Sequence, residues 1–292
     1  MVQIRARKGG PQGRGSVPHL GSFPYGSSLG NGIVACWPML EAGGNFLNDP
    51  TGGGSQGFFQ TGTDGTTFPS WSRSGTQTPI GSAIFGNAVT GPSVSLNAGS
   101  INYVTSSTPF TISIWFIILS GAPSFATMLS LKNNGTSSLL LAYSEQATYV
   151  GAILGSNATW TPIRTGSTLT KGVWYHYVAT YVGSSPGSTS SYALYLNDQS
   201  QTVSAAGAFG VSANNSLLLV AGGTGLTNNY WLGYVSNLII YNRVLSRGEI
   251  SMLYIDPWAH LRNNLGGTIQ PPGISSGFIE DDPVLAHPAW YW

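Results

Sequence analysis

From about residue 87 onward the chain alternates short apolar runs with Gly, Asn, Ser and Thr, and the turn signals fall roughly every 8–12 residues. The pattern predicts strands near 33–40, 87–90, 93–97, 101–105, 110–119, 125–132, 138–144, 148–155, 160–165, 173–182, 190–197, 201–205, 216–221 and 230–242. Within them the period is two. Ile112, Ile114, Phe116 and Ile118 alternate with Thr111, Ser113 and Trp115, in a run apolar enough to be buried on both faces. Tyr175, Tyr177, Ala179 and Tyr181 face away from Trp174, His176, Val178 and Thr180, and Tyr192, Leu194 and Leu196 share one face of their strand. Helical spacing occurs at one place. Ser246 followed by Glu249 is a capping-box pattern, Ile250, Leu253 and Tyr254 recur at helical intervals, and Asp256-Pro257 ends the segment. So many short strands with one terminal helix predict an all-β, two-sheet antiparallel jelly-roll sandwich over residues 31–258.

Neither end follows that pattern. Residues 1–30 are rich in Gly, Pro and Ser and form an extended arm containing Arg5, Arg7, Lys8 and Arg14, four of the chain's eleven basic residues. Such an arm is a solvated tail, a strap on a neighbouring subunit, or a contact to nucleic acid phosphates; the lack of interleaved aromatics disfavours the last. Residues 259–292 form a second, Pro-rich arm with the acidic triplet Glu280-Asp281-Asp282 and the ending Trp290-Tyr291-Trp292. Exposed aromatics are an association liability, so this ending is expected to anchor in a groove of its own chain or a neighbour. Between 52 and 83 lies a Gly/Ser/Thr-rich stretch carrying Phe58, Phe59, Phe68 and Trp71, expected to hold one or two short edge strands.

Composition sharpens the picture. Only 7% of the 292 residues are charged, and the net charge is +1. A norm of about 25% keeps free monomers dispersed, so the scarcity favours a surface covered by neighbours. Cys36 is the single cysteine, which rules out an intrachain disulfide and is read as a small buried apolar residue beside Trp37. No apolar run reaches the ~18 residues of a membrane helix, and no apolar core follows the basic N-terminus as in a secretory leader. The expectation is synthesis in the cytoplasm and no membrane partner.

Several phrases carry a family resemblance: Gly32-Ile33-Val34-Ala35-Cys36-Trp37-Pro38, Phe85-Gly86-Asn87-Ala88-Val89, Phe110 to Phe116, Trp174 to Tyr181 and Gly233 to Ser246. In order and spacing they resemble the laminin-G-like domains of the concanavalin A-like lectin/glucanase superfamily, over about four fifths of the chain. The phrase Leu253-Tyr254-Ile255-Asp256-Pro257-Trp258 resembles domains of phage and phage-derived proteins. The resemblance implies the sandwich but leaves the activity open, because such sandwiches serve as sugar binders, adhesion modules, glucanases and virion components.

Glycoside hydrolysis needs two carboxyl groups roughly 5–10 Å apart. Between 31 and 258 the acids are Glu41, Asp49, Asp64, Glu145, Asp198, Glu249 and Asp256, no two closer than seven positions, and the strand of closely spaced acids found in sandwich glucanases is missing. Of the histidines, His176 alone lies in a strand, where the resemblance makes it structural. No catalytic residue is therefore assigned. The resemblance also raises calcium, which such domains hold at a loop edge; Asp49 and Asn48 in Asn48-Asp49-Pro50-Thr51-Gly52 are the candidates, against an Asx-turn in which Asp49 bonds its own backbone. Sugar binding calls for aromatic platforms beside amides, as at Trp160 and Asn228-Asn229-Tyr230-Trp231.

Taken together, these features lead to the expectation of a non-enzymatic virion component, a capsid decoration or tail protein, needing no cofactor. Its partners would be copies of itself or a major capsid or tail protein, reached through the two arms. A carbohydrate-binding adhesin on an extracellular or cell surface, recognising a surface glycan, is the alternative.

Overall fold

The structure, a computed structural model, describes residues 29–39, 46–47, 49–51, 57–60, 70–72, 82–85, 95–100, 104–105, 107–120, 125–133, 136–144, 149–154, 161–164, 169–185, 187–203, 216–220 and 233–261. Of the two arms only residues 29–30 and 259–261 are described; the rest, with Arg5, Arg7, Lys8, Arg14, Glu280, Asp281, Asp282, Trp290, Tyr291 and Trp292, lies outside the described residues.

In chain order the strands are β1 (Ile33–Trp37), β2 (Phe46–Leu47), β3 (Gly57–Gln60), β4 (Ser70–Ser72), β5 (Ser82–Phe85), β6 (Ser95–Ser100), β7 (Phe110–Ile118) and β8 (Phe125–Asn133). They continue as β9 (Thr136–Ser144), β10 (Tyr149–Leu154), β11 (Thr161–Arg164), β12 (Trp174–Tyr181), β13 (Tyr192–Leu196), β14 (Gln199–Gln201), β15 (Ser216–Val220) and β16 (Gly233–Tyr241), followed by helix α1 (Arg247–Ile255). Among the described residues the strands form two antiparallel sheets of a sandwich, eight strands each. The first runs β14-β13-β12-β7-β16-β5-β4, with β1 also on β16; the second runs β11-β10-β9-β8-β15-β6-β3-β2.

The long apolar run at β7 occupies the middle of the first sheet, paired with β12 on one side and β16 on the other. It is buried on both faces because the sheet is covered on both. One face carries Ile112, Ile114, Phe116, Tyr177 and Leu194, all buried. The opposite face is closed by α1 and the turn after it: Ile250 and Leu253 pack with Leu29, Cys36, Val178, Ile239, Tyr241 and Leu245.

β16 holds the sheet together through an irregularity. Its pairing with β7 shifts between Ser236 and Ile239, and Asn237 takes a left-handed conformation (φ 48°). Above the bulge β16 pairs with β5, and below it with β1, so the bulge marks where the neighbouring strand changes.

Most strand predictions coincide with the structure, and the departures have local causes. β1 stops at Trp37 rather than Leu40, since Pro38 removes a donor and Met39 turns to φ 61°. Val104 and Thr105, expected in a strand, are not in one: Thr105 Oγ1 bonds Thr108 Oγ1 at 2.7 Å and accepts from Ser107 N–H at 3.3 Å, turning the chain into β7. The strand expected at 201–205 is β14 at Gln199–Gln201, because Asn197 (φ 48°) and Asp198 (φ 65°) make a two-residue hairpin turn and pairing resumes at once. In the 52–83 stretch, β4 is an edge strand as expected, whereas β3 is flanked by β2 and β6. The strand expected at 87–90 lies outside the described residues.

Candidate functional site

Register places four rows of side chains on the helix-covered face of β12, β7 and β16: Trp174–Ile117–Tyr234, then His176–Trp115–Ser236, then Val178, Ser113 and Ile239, then Thr180–Thr111–Tyr241. The two last rows lie against the start of the cover, where Thr111 Oγ1 donates to Arg243 O at 2.7 Å and accepts from Leu245 N–H at 3.1 Å. The first two rows each carry two ring side chains, Trp174 and Tyr234, then His176 and Trp115. Trp174 and Tyr234 are half-buried, their rings 6.2 Å apart.

His176 sits in the second row. Its ring stacks on Trp115 at 4.9 Å and lies 6.1 Å from Tyr254 of α1, which is itself parallel to Trp115. Nε2 is 2.8 Å from Ser113 Oγ, and the backbone N–H donates to Asn197 Oδ1 at 2.8 Å. A Ser–His contact is the start of a nucleophile–base arrangement. Two features set this pair apart from one: both residues are about 1% exposed, and Nδ1, where an orienting acid would bond, has no partner. Burial pushes the imidazole down to about 3, against a smaller upward pull from Asp198. The ring is neutral and built into the sheet.

α1 is held over this face at both ends. Ser246 and Glu249 form the capping box predicted from the sequence: Ser246 Oγ accepts from Glu249 N–H at 3.3 Å, and Glu249 Oε2 accepts from Ser246 N–H at 2.8 Å. Arg243 pairs with the same carboxylate at 3.0 and 2.7 Å. Burial raises the Glu249 carboxyl, but the hydrogen bonds from Arg243 and Ser246 together outweigh it and hold the group low. Across the sheet edge, Arg247 pairs with Asp198, to which Ser251 Oγ also donates at 2.9 Å, and stacks over Tyr195 at 5.3 Å. Asp256, at the helix end, accepts from Trp258 N–H at 3.2 Å. Asn237 Nδ2 of the bulge bonds Pro257 O.

The last anchor is the turn Ala259–Leu261. His260 is buried, and its Nε2 lies 3.4 Å from the Cys36 thiol. Burial pushes this imidazole down to about 3 as well, against a smaller upward pull from the Pro257 carbonyl, to which its Nδ1 makes no hydrogen bond of normal geometry. Cys36 is the buried small residue expected, although its contact with His260 is 224 positions away and has no local signal.

Asp49 adopts the Asx-turn. Its Oδ1 accepts from Thr51 N–H at 2.9 Å, Thr51 Oγ1 at 2.6 Å and Cys36 N–H at 3.3 Å, so the turn is stitched to β1. Burial raises its carboxyl above the usual range despite those bonds, and Oδ2 is buried without a partner. A calcium ion needs about six to eight oxygens. The described residues around Asp49 offer one uncommitted carboxylate oxygen, and no group of three His, Cys, Asp or Glu among the described residues could hold a metal. The described donor set by itself does not fit the ion. Asn48, Trp160, Asn228, Asn229, Tyr230 and Trp231 lie outside the described residues. No helix among the described residues is long and apolar enough to cross a membrane.

Comparison with known proteins places this architecture. Domain 4 of AbnA, an extracellular arabinanase of Geobacillus stearothermophilus solved in complex with arabinotriose, is similar with a TM-score of 0.57 at 16% identity; the match covers 76% of this chain and 98% of that one. Trypanosoma rangeli sialidase, in complex with 2,3-difluoro-KDN, gives 0.53 at 15% identity over 78% of this chain. This chain spans only 33% of the sialidase. At these identities the likeness concerns the fold. No curated protein matches the sequence. The laminin G family model described as concanavalin A-like lectin/glucanases superfamily matches residues 85–251, more than half of the sequence. The chain belongs to the concanavalin A-like lectin/glucanases superfamily.

Proposed function

We propose that this protein is a non-enzymatic structural component of a virion of phage type, a capsid decoration or tail protein made in the host cytoplasm, whose arms bind copies of itself or a major capsid or tail protein. The observation that carries the reading is the charge distribution. A sandwich in a chain only 7% charged is flanked by a basic segment and by one that is acidic and aromatic. Opposite charges on the two arms would give the contacts direction, since like-charged pairings are disfavoured. The described carboxylates support a non-catalytic role. Asp49 is in an Asx-turn, Asp198 bonds Arg247, Glu249 caps α1, and Asp256 bonds Trp258 N–H. No cofactor is part of this reading; calcium at Asp49 and Asn48 would be weak, and its addition would leave the melting temperature unchanged.

The second reading is a carbohydrate-binding module, free or displayed on a surface. It is favoured by the near-complete match to the arabinanase domain, which was solved with a bound oligosaccharide. The roles are compatible, since a decoration protein can present a glycan-binding rim. Cryo-electron microscopy of native particles, paired with a glycan array probed with the full chain, separates them. Many copies on a regular lattice, with the arms over neighbours, support the structural role. A monomer with glycan affinity supports the module instead.

A further inference from the structure

Helix α1 and the turn Ala259–Leu261 form one cover over the outer face of the first sheet. Met252 and Ile255 on its outer side are 50% and 80% exposed. Unlike the strands, the cover takes no part in a backbone ladder with the sheet it rests on. Beside its apolar seam of Ile250, Leu253 and Ala259 against Cys36, Val178 and Ile239 stand the contacts of Arg247 with Asp198, Arg243 with Glu249, Tyr254 with His176 and Cys36 with His260.

These contacts share one property. His176 lies under Tyr254 and His260 lies against Cys36, each almost wholly buried with one ring nitrogen lacking a partner and no carboxylate hydrogen-bonded to the ring. They fit the seam as neutral rings. Asp198 under Arg247 and Glu249 beside Arg243 fit it as anions. We propose that the cover is an acid-opened lid: mild acidification lifts α1 and the 259–261 turn off the sheet while the sandwich persists, uncovering Cys36 and the apolar face around it.

The charges around the two imidazoles decide the direction. His176 faces Trp115 and Ser113 from β7, Asn197 and Asp198 from the β13–β14 turn, and Tyr254 from α1, with Arg247 beyond Asp198. The attraction of Asp198 is the smaller effect, and burial holds the ring neutral down to about 3. His260 faces the Cys36 thiol from β1 and, from its own segment, Trp258 and the Pro257 carbonyl, whose upward pull on the ring is smaller than the effect of burial. Tyr241 lies in the same cluster as Cys36 and, as a phenol, gains no charge in acid. Arg243 and Glu249 stand at the start of the helix, and Asp256 bonds within the cover. Asp49 runs the other way, since acid relieves a carboxyl raised by burial, but its contacts are to β1 and its own turn rather than to the cover. An imidazolium cannot be hydrated in the closed state, so protons taken up by either ring are accommodated by opening. The lid hypothesis does not depend on the virion reading.

The single cysteine makes the test direct. The rate at which 4,4′-dithiodipyridine labels Cys36 is measured in the full-length chain from about pH 7.5 to about pH 4.5, divided by the rate for the urea-unfolded chain at the same pH, with far-ultraviolet circular dichroism in parallel. The lid predicts a rise of roughly tenfold or more between about pH 7 and about pH 5 with the strand signal unchanged. His260→Gln and His176→Asn, which keep polar side chains that do not charge, should each flatten the rise; if one misfolds, the other carries the comparison from its own end of the seam. Protection that persists to about pH 4.5, or labelling that appears only together with loss of the strand signal, overturns the proposal.

Discussion

The thiol of Cys36 on β1 lies 3.4 Å from Nε2 of His260, joining the first strand of the sandwich to the last described turn across 224 positions of sequence. With Asn237 bonding Pro257 O nearby, it ties the turn after α1 to β16 and β1. The contact also ties stability to protonation.

Acid should weaken the protein in a defined window. His176 and His260 have folded values pushed down to about 3 by burial, against an unfolded value near 6.5. Above about 6.5 neither state binds the proton; below it the unfolded chain does and the closed state does not. Stability is therefore full above that value and lost as pH falls toward about 3. At about pH 5 each ring should lower the stability of the closed form by about 2 kcal/mol relative to neutral pH. Urea unfolding at neutral and mildly acidic pH checks this, and a flat profile between the two would refute it.

The two ion pairs at the helix should differ in worth. Arg247 and Asp198 are 48% and 21% exposed, so Asp198→Asn, which tolerates the left-handed turn position, should cost below about 1 kcal/mol and depend on salt. Arg243 and Glu249 are 27% and 11% exposed and share the carboxylate with the helix cap. Glu249→Gln should cost about 1.5–3 kcal/mol and depend less on salt. Thermal melts of the two variants at low and high salt would expose a reversed order.

Gly183, between β12 and the hairpin that follows, has φ +82°, and a Cβ there would lie 2.6 Å from Pro109 N and 2.8 Å from Thr108 C. Backbone cannot give way as a side-chain tip can, so Gly183→Ala should destabilise by more than about 1 kcal/mol. Gly172, also at positive φ, has nothing within 4 Å of such a Cβ, so Gly172→Ala carries only the conformational cost. Comparing the two denaturation midpoints separates strain from steric clash; equal shifts would dismiss the clash.

At the bulge, Asn237 combines a left-handed backbone with the bond to Pro257 O. Asn237→Gly should lose the bond alone, about 1 kcal/mol, while Asn237→Ala should lose it and add backbone strain, about 2 kcal/mol in total. Chemical denaturation gives both values. A glycine variant no better than alanine would mean that the left-handed conformation contributes nothing.

How much of this was legible without coordinates depends on the range of the physics involved. Period-two alternation in β7 and β12, the Ser246–Glu249 capping box and the Asx-turn at Asp49 are set within a few residues, and each could be read along the chain. The Asn197-Asp198 turn had a local signal too, in residues that tolerate left-handed backbone, and overlooking it displaced β14. Family membership followed from the order of such phrases.

What the sequence by itself determined is thus the strand-rich pattern, the sandwich, the single capped helix and the scarcity of charge. Tertiary structure alone decided that β7 lies between β12 and β16, that Ser113 meets His176, and that Cys36 meets His260. Those contacts join residues 63 and 224 positions apart. Alternation says which face a side chain occupies but not which strand lies beside it. Neighbours in a sheet are selected by the packing of whole faces and the closure of long loops, a choice distributed over the molecule rather than written at any one position.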